Sequence, residues 1–164
     1  MKTLDDYKNF LAAFRKLTGI EAFAPDETGL VSVSVDDDFN LNLQFIKHSG
    51  KVLCFVEVCQ LPHDAPREVY RELLAGCLFG RDTAGGYFSL EESSETVVYS
   101  YLFDGSAIEA NPEELSDSLE NIMQVCGLWR DRIKEIILGE LPAGEVPEGQ
   151  FETLRVSDMV MLHP

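Results

Sequence analysis

The chain has 164 residues, a length typical of one domain, and its 29 Asp and Glu against 13 Lys and Arg give a formal net charge of −16. Hydrophobic residues make up 45% of the sequence, which is enough for a full core and argues against wholesale disorder. The stretch from Thr83 to Trp129 contains no Lys or Arg. Nucleic acids and anionic lipids both require a basic surface, so we expect neither as a partner.

The start of the chain and its apolar runs indicate a cytoplasmic protein. Residues 1–6 lead directly into an acidic amphipathic helix instead of a secretory signal peptide. No apolar run reaches the roughly 18 residues that a membrane-spanning helix needs. The four cysteines form no CxxC pair and lie within apolar segments, as is typical of reduced and buried thiols: Cys54, Cys59, Cys77 and Cys126.

The first part of the chain predicts one helix followed by two strands. Thr3 and Asp6 have the spacing of a capping box, and Gly19 is suited to end the helix that follows. Apolar and polar residues then alternate over residues 31–35 and 39–45, as in strands that bury one face. The polar side of the second strand is uncharged, which suits either solvent or the backbone of a bound peptide.

The remainder of the chain predicts a central strand, a helix, two strands and a long helix. Residues 51–61 are apolar on both faces, so we expect them to form the central strand of the sheet. The order α-β-β-β-α-β-β-α predicts an α+β domain, with helices packed against one antiparallel or mixed sheet. The other elements are a helix from Pro66 to Gly80, strands over residues 87–90 and 96–103, and a final helix that begins at Pro112 after an Asn111 N-cap.

The last 26 residues differ from the rest in composition. Residues 139–149 are rich in Gly and Pro, which predicts a linker, and residues 150–164 are again partly apolar. We therefore expect a folded domain over residues 1–138, followed by a linker and C-terminal tail over residues 139–164. Docking of this tail on the domain and binding of the tail to a partner both remain open.

Patterns for metal binding and catalysis fail at their diagnostic positions. Asp36, Asp38 and Asn40 match the start of a calcium loop, but Leu41 and Lys47 occupy the places of its Gly and Glu, so we predict a turn over residues 36–38. The three histidines have no zinc-ligand spacing to Cys or acidic residues. The cysteines lie on apolar stripes, where burial makes a thiol inert. We expect no catalytic residue, no metal and no cofactor, although a small hydrolase or thiol enzyme remains an alternative class.

The middle helix and the hairpin after it are more apolar than a solvated surface requires. Leu74 and Phe79 lie outside the main apolar stripe of the helix, and the hairpin carries Tyr87 and Phe88. Large exposed apolar patches mark interfaces, and a two-fold homodimer is the most common solution for a soluble chain. We therefore expect a homodimer.

Local patterns, together with size, acidity and element order, resemble the class I type III secretion chaperones, the family that includes the chaperone of the translocated intimin receptor. The likeness covers about residues 1–137. One departure is Cys77, where relatives often carry Asn. The patterns are Leu61-Pro62 after the third strand, Glu72-Leu73-Leu74-Ala75-Gly76-Cys77-Leu78-Phe79-Gly80, Gly85-Gly86-Tyr87-Phe88-Ser89-Leu90, and Leu128-Trp129-Arg130 in the final helix.

The resemblance implies a homodimeric cytoplasmic chaperone that uses no ATP and no other cofactor. Such a protein binds an extended N-proximal segment of a secreted effector or translocator and keeps it soluble and competent for export. A regulator or adaptor that uses the same fold outside secretion is the alternative. By position, the residues implied to bind the partner are Phe10, Phe14, Val31, Val33 and Leu43. Those implied to form the dimer interface are Val69, Leu73, Leu74, Leu78, Tyr87 and Phe88, and all of these residues can also be explained as core.

Overall fold

A computed structural model describes residues 1–36 and 38–140 of the chain. Asp37, in the predicted turn, and nearly all of the predicted linker and tail (residues 141–164) lie outside the described residues. The elements within them are, in chain order, α1 (Leu4–Thr18), β1 (Leu30–Val35), β2 (Phe39–Ile46), β3 (Lys51–Gln60), α2 (Arg67–Gly76), a 3₁₀ turn (Leu78–Gly80), β4 (Tyr87–Glu91), β5 (Thr96–Asp104), α3 (Gly105–Ala110) and α4 (Pro112–Leu138).

The described strands form one antiparallel sheet in the order β1-β2-β3-β5-β4. The central position of β3 confirms the prediction made from its two apolar faces. The helices pack against this sheet around one hydrophobic core, so the predicted α+β architecture is confirmed. β1 and β4 are the two outer strands of the sheet, and the surfaces discussed below lie beside them.

One face of the sheet carries the core. Tyr7 of α1 stacks on Phe45 of β2 with 5.6 Å between ring centroids, and α4 packs across β3. Near the end of α4, the Arg132 guanidinium donates to the Glu72 carboxylate of α2 at 2.6 Å, with both side chains mostly buried. This ion pair joins α2 to α4, so the position of α2 over the β4–β5 end of the sheet is fixed by α4.

The start of α1 has the predicted capping box. The Thr3 hydroxyl accepts from the Asp6 N–H at 3.1 Å, while the Asp6 carboxylate accepts from the Thr3 N–H at 2.9 Å. Gly19 ends the helix with φ 73°, in the left-handed region that glycine tolerates best. The sequence signals at both ends of this helix are therefore confirmed.

Two predictions near helix ends need correction. The middle helix ends at Gly76 instead of Gly80, because Phe79 has φ 57° and the chain turns there. The short helix α3, absent from the predicted order, begins where the Asp104 carboxylate accepts from the N–H groups of Ser106 and Ala107. Asn111 does precede α4, but its side chain makes no capping bond to the helix backbone.

Candidate partner-binding surfaces

The predicted partner-binding residues all lie in the core of the described chain. The aromatic stripe of α1 faces the sheet, and the odd-numbered residues of β1 and β2 point to the same side. Contact of these residues with a partner therefore stays a prediction, and in this conformation they present almost no accessible surface. The buried residues are Phe10, Phe14, Val31, Val33 and Leu43.

The outer edge of β1 has backbone groups that point away from the sheet. Leu30 opposes Gln44 in β2, but its N–H donates to the Asp26 carboxylate and its C=O accepts from the Asp26 N–H, both at 2.9 Å. The backbone of Leu30 thus faces outward, and backbone direction alternates along a strand. Ser32 and Ser34 therefore direct their N–H and C=O groups outward as well, and no described strand pairs with them on that side.

The face of the sheet opposite the core is polar but uncharged around Asn42, whose side chain is buried among its neighbours. Ser32 of β1 lies opposite Asn42 of β2, which in turn lies opposite Phe55 of β3. The Asn42 amide donates to the carbonyl oxygen of Asn40 at 3.2 Å, and Gln44 donates to that of Thr28 at 3.4 Å. These amide side chains bind backbone carbonyl oxygens of β2 and of the segment before β1, and the side chains of Ser32, Asn42 and Gln44 carry no formal charge.

The predicted dimer residues are divided between the core and the surface. Val69 and Leu73 are buried, and Phe88 is half-buried with its ring 5.0 Å from that of Trp129. The other three predicted residues are exposed, and their role in an interface stays a prediction: Leu74, Leu78 and Tyr87. Two more exposed apolar residues, which were not in the predicted set, lie beside them: Phe79 and Leu90.

An apolar cleft lies between α2 and β4, and two of these exposed residues, Leu74 and Leu90, line it. The cleft has a volume of about 200 Å³. None of its described lining residues carries a formal charge, although the chain as a whole has a net charge of −16. The cleft is lined by Tyr70, Leu73, Leu74, Phe88, Ser89, Leu90 and Val97. We call this cleft and the exposed residues Leu74, Leu78, Phe79, Tyr87 and Leu90 the α2–β4 surface.

The loop beside this surface, residues 77–86, is held by buried hydrogen bonds. The Trp129 indole N–H donates to the Asp82 carbonyl oxygen at 2.8 Å, and the Tyr99 hydroxyl donates to that of Thr83 at 2.7 Å. Gly80 and Gly85 approach so closely that a Cβ at Gly80 would lie 2.7 Å from the Gly85 Cα. The loop therefore presents its exposed side chains from a fixed backbone.

The four cysteines are free thiols that are buried or half-buried in the fold. Burial raises the pKa of the Cys54 and Cys126 thiols to about 12 and that of Cys59 to about 11. The Cys77 sulfur accepts from the Phe88 N–H at 3.2 Å, which links α2 to β4. With their raised pKa values, Cys54, Cys59 and Cys126 are poor nucleophiles at neutral pH. Across residues 1–36 and 38–140, no three His, Cys, Asp or Glu side chains are grouped to hold a metal ion.

A model of the Tir chaperone protein (CesT) family matches residues 9–130. The chain belongs to this family. The resemblance found in the sequence is thereby confirmed. No curated protein sequence matches the chain at a significant level. None of the helices within the described residues has the length and apolarity needed to cross a membrane.

Several solved protein complexes, among them a chaperone–effector complex, contain a chain with the same fold as this CesT-family chain. A structure of the ExsC–ExsE complex aligns with a TM-score of 0.65 and 18% identity, and the alignment covers 80% of this chain and 96% of that one. The HopA1–SchA chaperone–effector complex aligns with a TM-score of 0.57 and 18% identity, covering 79% and 93%. The ExoU–SpcU complex from the type III secretion system of Pseudomonas aeruginosa aligns with a TM-score of 0.55 and 14% identity, covering 79% and 96%.

Proposed function

We propose that this protein is a cytoplasmic, non-catalytic chaperone that binds an extended segment of a type III secreted protein and keeps it soluble until export. Membership of the CesT family and the fold shared with chaperone–effector complexes support this proposal. The residues that perform this function form binding surfaces instead of a reactive centre. Binding of this kind draws its free energy from burial and backbone hydrogen bonds, so ATP is not required.

The outer edge of β1 is the observation that carries the proposal. The outward N–H and C=O groups of Ser32 and Ser34 match the hydrogen-bonding pattern of an added antiparallel or parallel strand. An extended segment that pairs there would continue the sheet by one strand. Its side chains would alternate between the uncharged face around Asn42 and the face of the sheet that carries α1.

The charge of the chain favours particular partner segments. Nine acidic residues and no basic ones lie between Thr83 and Trp129. A field of this sign attracts basic segments and repels acidic ones at a distance. We therefore infer that the bound segment is neutral at the positions that contact β1 and that basic residues flank it.

The functional unit in this proposal is a homodimer of the domain formed by residues 1–138. The α2–β4 surface supports the dimer, because it is apolar, uncharged and on the opposite end of the sheet from β1. Two copies joined there would leave both β1 edges accessible. A partner chain could then contact both copies without competing with the dimer.

The test is co-expression with N-terminal segments of secreted proteins from the same genome, followed by affinity purification and mass spectrometry. Capture of one secreted segment, protected from protease over some tens of residues, is the expected result. Failure to capture any secreted protein would overturn the chaperone role, and capture of a transcription regulator alone would favour the adaptor alternative.

Two substitutions at one position test the edge itself. Ser32→Pro removes an outward N–H without removing a bond to β2, because proline has no donor and edge strands tolerate it. Ser32→Thr keeps the N–H and is the matched control. We expect Ser32→Pro to lower the affinity for the segment at least tenfold and Ser32→Thr to leave it unchanged. Equal affinities for both variants would show that the segment binds elsewhere.

A further inference from the structure

The outer edge of β1 accepts a strand of a particular kind. Its outward backbone groups at Ser32 and Ser34 pair with no described strand, whereas those of Leu30 are already bonded to Asp26. Both serine side chains are exposed, and Val33 between them is buried on the other face of the sheet. Residues directly opposite in neighbouring strands share a face. The edge therefore suits a short strand with polar residues opposite the serines and apolar residues between them.

The C-terminal tail contains one segment with this pattern. Residues 153–157 read Thr-Leu-Arg-Val-Ser, so that Leu154 and Val156 alternate with three polar residues. Five residues are a common strand length, and β1 itself has six. Arg155, at the centre of the segment, is the only Lys or Arg in residues 141–164. The residues that flank β1 are acidic and so attract it: Asp26, Glu27 and Asp36.

The end of α4 lies within reach of this edge. The Arg130 guanidinium is 3.4 Å from the Asp38 carboxylate and 4.4 Å from the centroid of the Phe39 ring, and Phe39 lies opposite Val35, the last residue of β1. Leu138 is eight residues further along α4, or about 12 Å. The 14 residues between Leu138 and the segment span up to about 50 Å when extended. This reach exceeds the sum of that 12 Å and the roughly 20 Å length of β1.

We propose that residues 153–157 pair with the outer edge of β1 in the same chain when no partner is bound. The tail approaches from the Val35 end of β1, so the pairing is antiparallel. Backbone groups of the odd-numbered tail residues bond those of Ser32 and Ser34, while Leu154 and Val156 lie on the same face as Val33. This inference rests on the proposed function, to which it adds a competitor within the chain for the site of the secreted segment.

The covalent link makes such a competitor effective. A tethered segment has an effective concentration on the order of millimolar at its site, so even weak strand pairing occupies the edge. A secreted segment then binds only to the fraction of molecules whose edge is open, and its apparent affinity is reduced by that fraction. The tail therefore covers the edge of the unloaded chaperone and selects for segments that bind more tightly than the tail does.

Amide hydrogen exchange of the full chain without a partner, measured by NMR, tests the pairing. Arg155→Pro removes a bonding N–H from the centre of the segment, and Val160→Pro is the matched control with a proline elsewhere in the tail. We expect the Ser32 and Ser34 amides to exchange at least tenfold faster in Arg155→Pro than in the wild type or Val160→Pro. Both substitutions lie outside residues 1–138, so the domain should keep its fold. Equal exchange in all three proteins would overturn the inference.

A photo-crosslinking amino acid at Ser34 locates the tail directly. Ser89 is the matched position, because it is an exposed serine on the other outer strand and lines the α2–β4 cleft. We expect position 34 to cross-link to the tail of its own chain, and position 89 not to do so. Mixing isotope-labelled and unlabelled chains distinguishes links within a chain from links between chains. Cross-links from position 89 to the tail, or tail cross-links only between chains, would overturn the inference.

Binding of a captured secreted segment tests the competition. If the tail leaves the edge open about one-tenth of the time, Arg155→Pro should bind the segment about tenfold more tightly than the wild type, and Val160→Pro should match the wild type. Unchanged affinity in Arg155→Pro would show that the tail does not compete. The exchange and cross-linking experiments contain no partner, so failure of tail pairing leaves segment binding at β1 standing. Failure to capture a secreted segment leaves the pairing of the tail with β1 standing.

Discussion

The indole N–H of Trp129 donates a hydrogen bond to the backbone carbonyl oxygen of Asp82 at 2.8 Å. The same ring occupies the space beside Gly76, where a Cβ would lie 2.2 Å from a ring carbon. Trp129 therefore fixes both the end of α2 and the loop that follows it. The position of the α2–β4 surface depends on this one side chain of α4.

Gly76 and Gly127 are expected to respond oppositely to alanine. Gly76→Ala forces the new methyl group into the Trp129 ring, and such overpacking costs about 1–3 kcal/mol of the free energy of unfolding. Gly127 lies within α4 with open space around it, so Gly127→Ala should stabilise the protein by about 0.5–1 kcal/mol. Urea unfolding of both variants measures the two effects, and a stabilised Gly76→Ala would contradict the packing described for Trp129.

Substitutions at two neighbouring leucines of α2 distinguish effects on the stability of the fold from effects on dimer formation. Leu73 is 8% exposed, so Leu73→Asp buries an unpaired charge, which typically costs about 3–5 kcal/mol and should unfold much of the protein. Leu74 points outward, so Leu74→Asp should leave the fold intact and produce a monomer. Light scattering together with thermal unfolding distinguishes the two outcomes. A dimeric Leu74→Asp variant would place the interface elsewhere.

Two buried tyrosines predict opposite effects of the same substitution. The Tyr7 hydroxyl is buried and has no hydrogen-bond partner within the described residues, and burial raises the pKa of this phenol. Tyr7→Phe removes an unsatisfied polar group and should raise the free energy of unfolding by about 1 kcal/mol. The Tyr99 hydroxyl donates to the Thr83 carbonyl oxygen, so Tyr99→Phe should lower it by about 1–3 kcal/mol. Chemical denaturation of both variants is the measurement, and equal signs would refute the assignment.

The hairpin turn between β4 and β5 contains an acid-sensitive group. Hydrogen bonds from Ser94 and then Ser93 lower the pKa of the Glu91 carboxyl from 4.5 to about 2. Because the folded pKa lies below the unfolded value, the carboxylate stabilises the turn fully above pH 4.5, and this stabilisation is lost as the pH falls to about 2. Ser94→Ala should raise the pKa of Glu91 toward its ordinary value. Carboxyl titration by NMR in both proteins tests this, and an unchanged pKa in Ser94→Ala would exclude the hydrogen bonds as the cause.

Thiol labelling distinguishes a binding protein from a thiol enzyme. Cys54 and Cys126 are fully buried, and burial raises the pKa of each to about 12, so neither should react with iodoacetamide in the native protein at neutral pH. Both should react after unfolding in guanidinium. Rapid native labelling of either residue, detected by peptide mass spectrometry, would contradict the core described here and would support a reactive cysteine.

The predictions that succeeded came from short, local signals. The capping box of Thr3 and Asp6, the alternation along β2 and the two apolar faces of β3 each depend on neighbouring residues, and the structure confirms all three. The predicted end of α2 was wrong because it depends on contacts with residues distant in the sequence. Leu78 and Phe79 continue the apolar composition of the helix, but hydrogen bonds from α4 and β5 to the following loop turn the chain there.

The sequence predicted less well which individual residues lie in the core and which lie at a binding surface. An apolar stripe on α1 is the same pattern whether it covers the sheet or lines a groove, so Phe10 and Phe14 could not be assigned to the core in advance. The sequence also did not predict which backbone groups of β1 point outward, because this direction was identified from the hydrogen bonds between Asp26 and Leu30. The signal for α3 was present, since Asp104 precedes Ser106 at capping distance.

The free side of β1 has a consequence for handling the protein. Its sequence, Leu-Val-Ser-Val-Ser-Val, contains none of the lysines or prolines that usually discourage foreign strands from attaching to a sheet. Repulsion between like-charged molecules is then the main obstacle to stacking, and dissolved salt weakens that repulsion. We therefore expect the protein without a bound segment to precipitate fastest at high ionic strength. The complex with a bound segment should stay in solution longest, because the segment covers the free edge of β1.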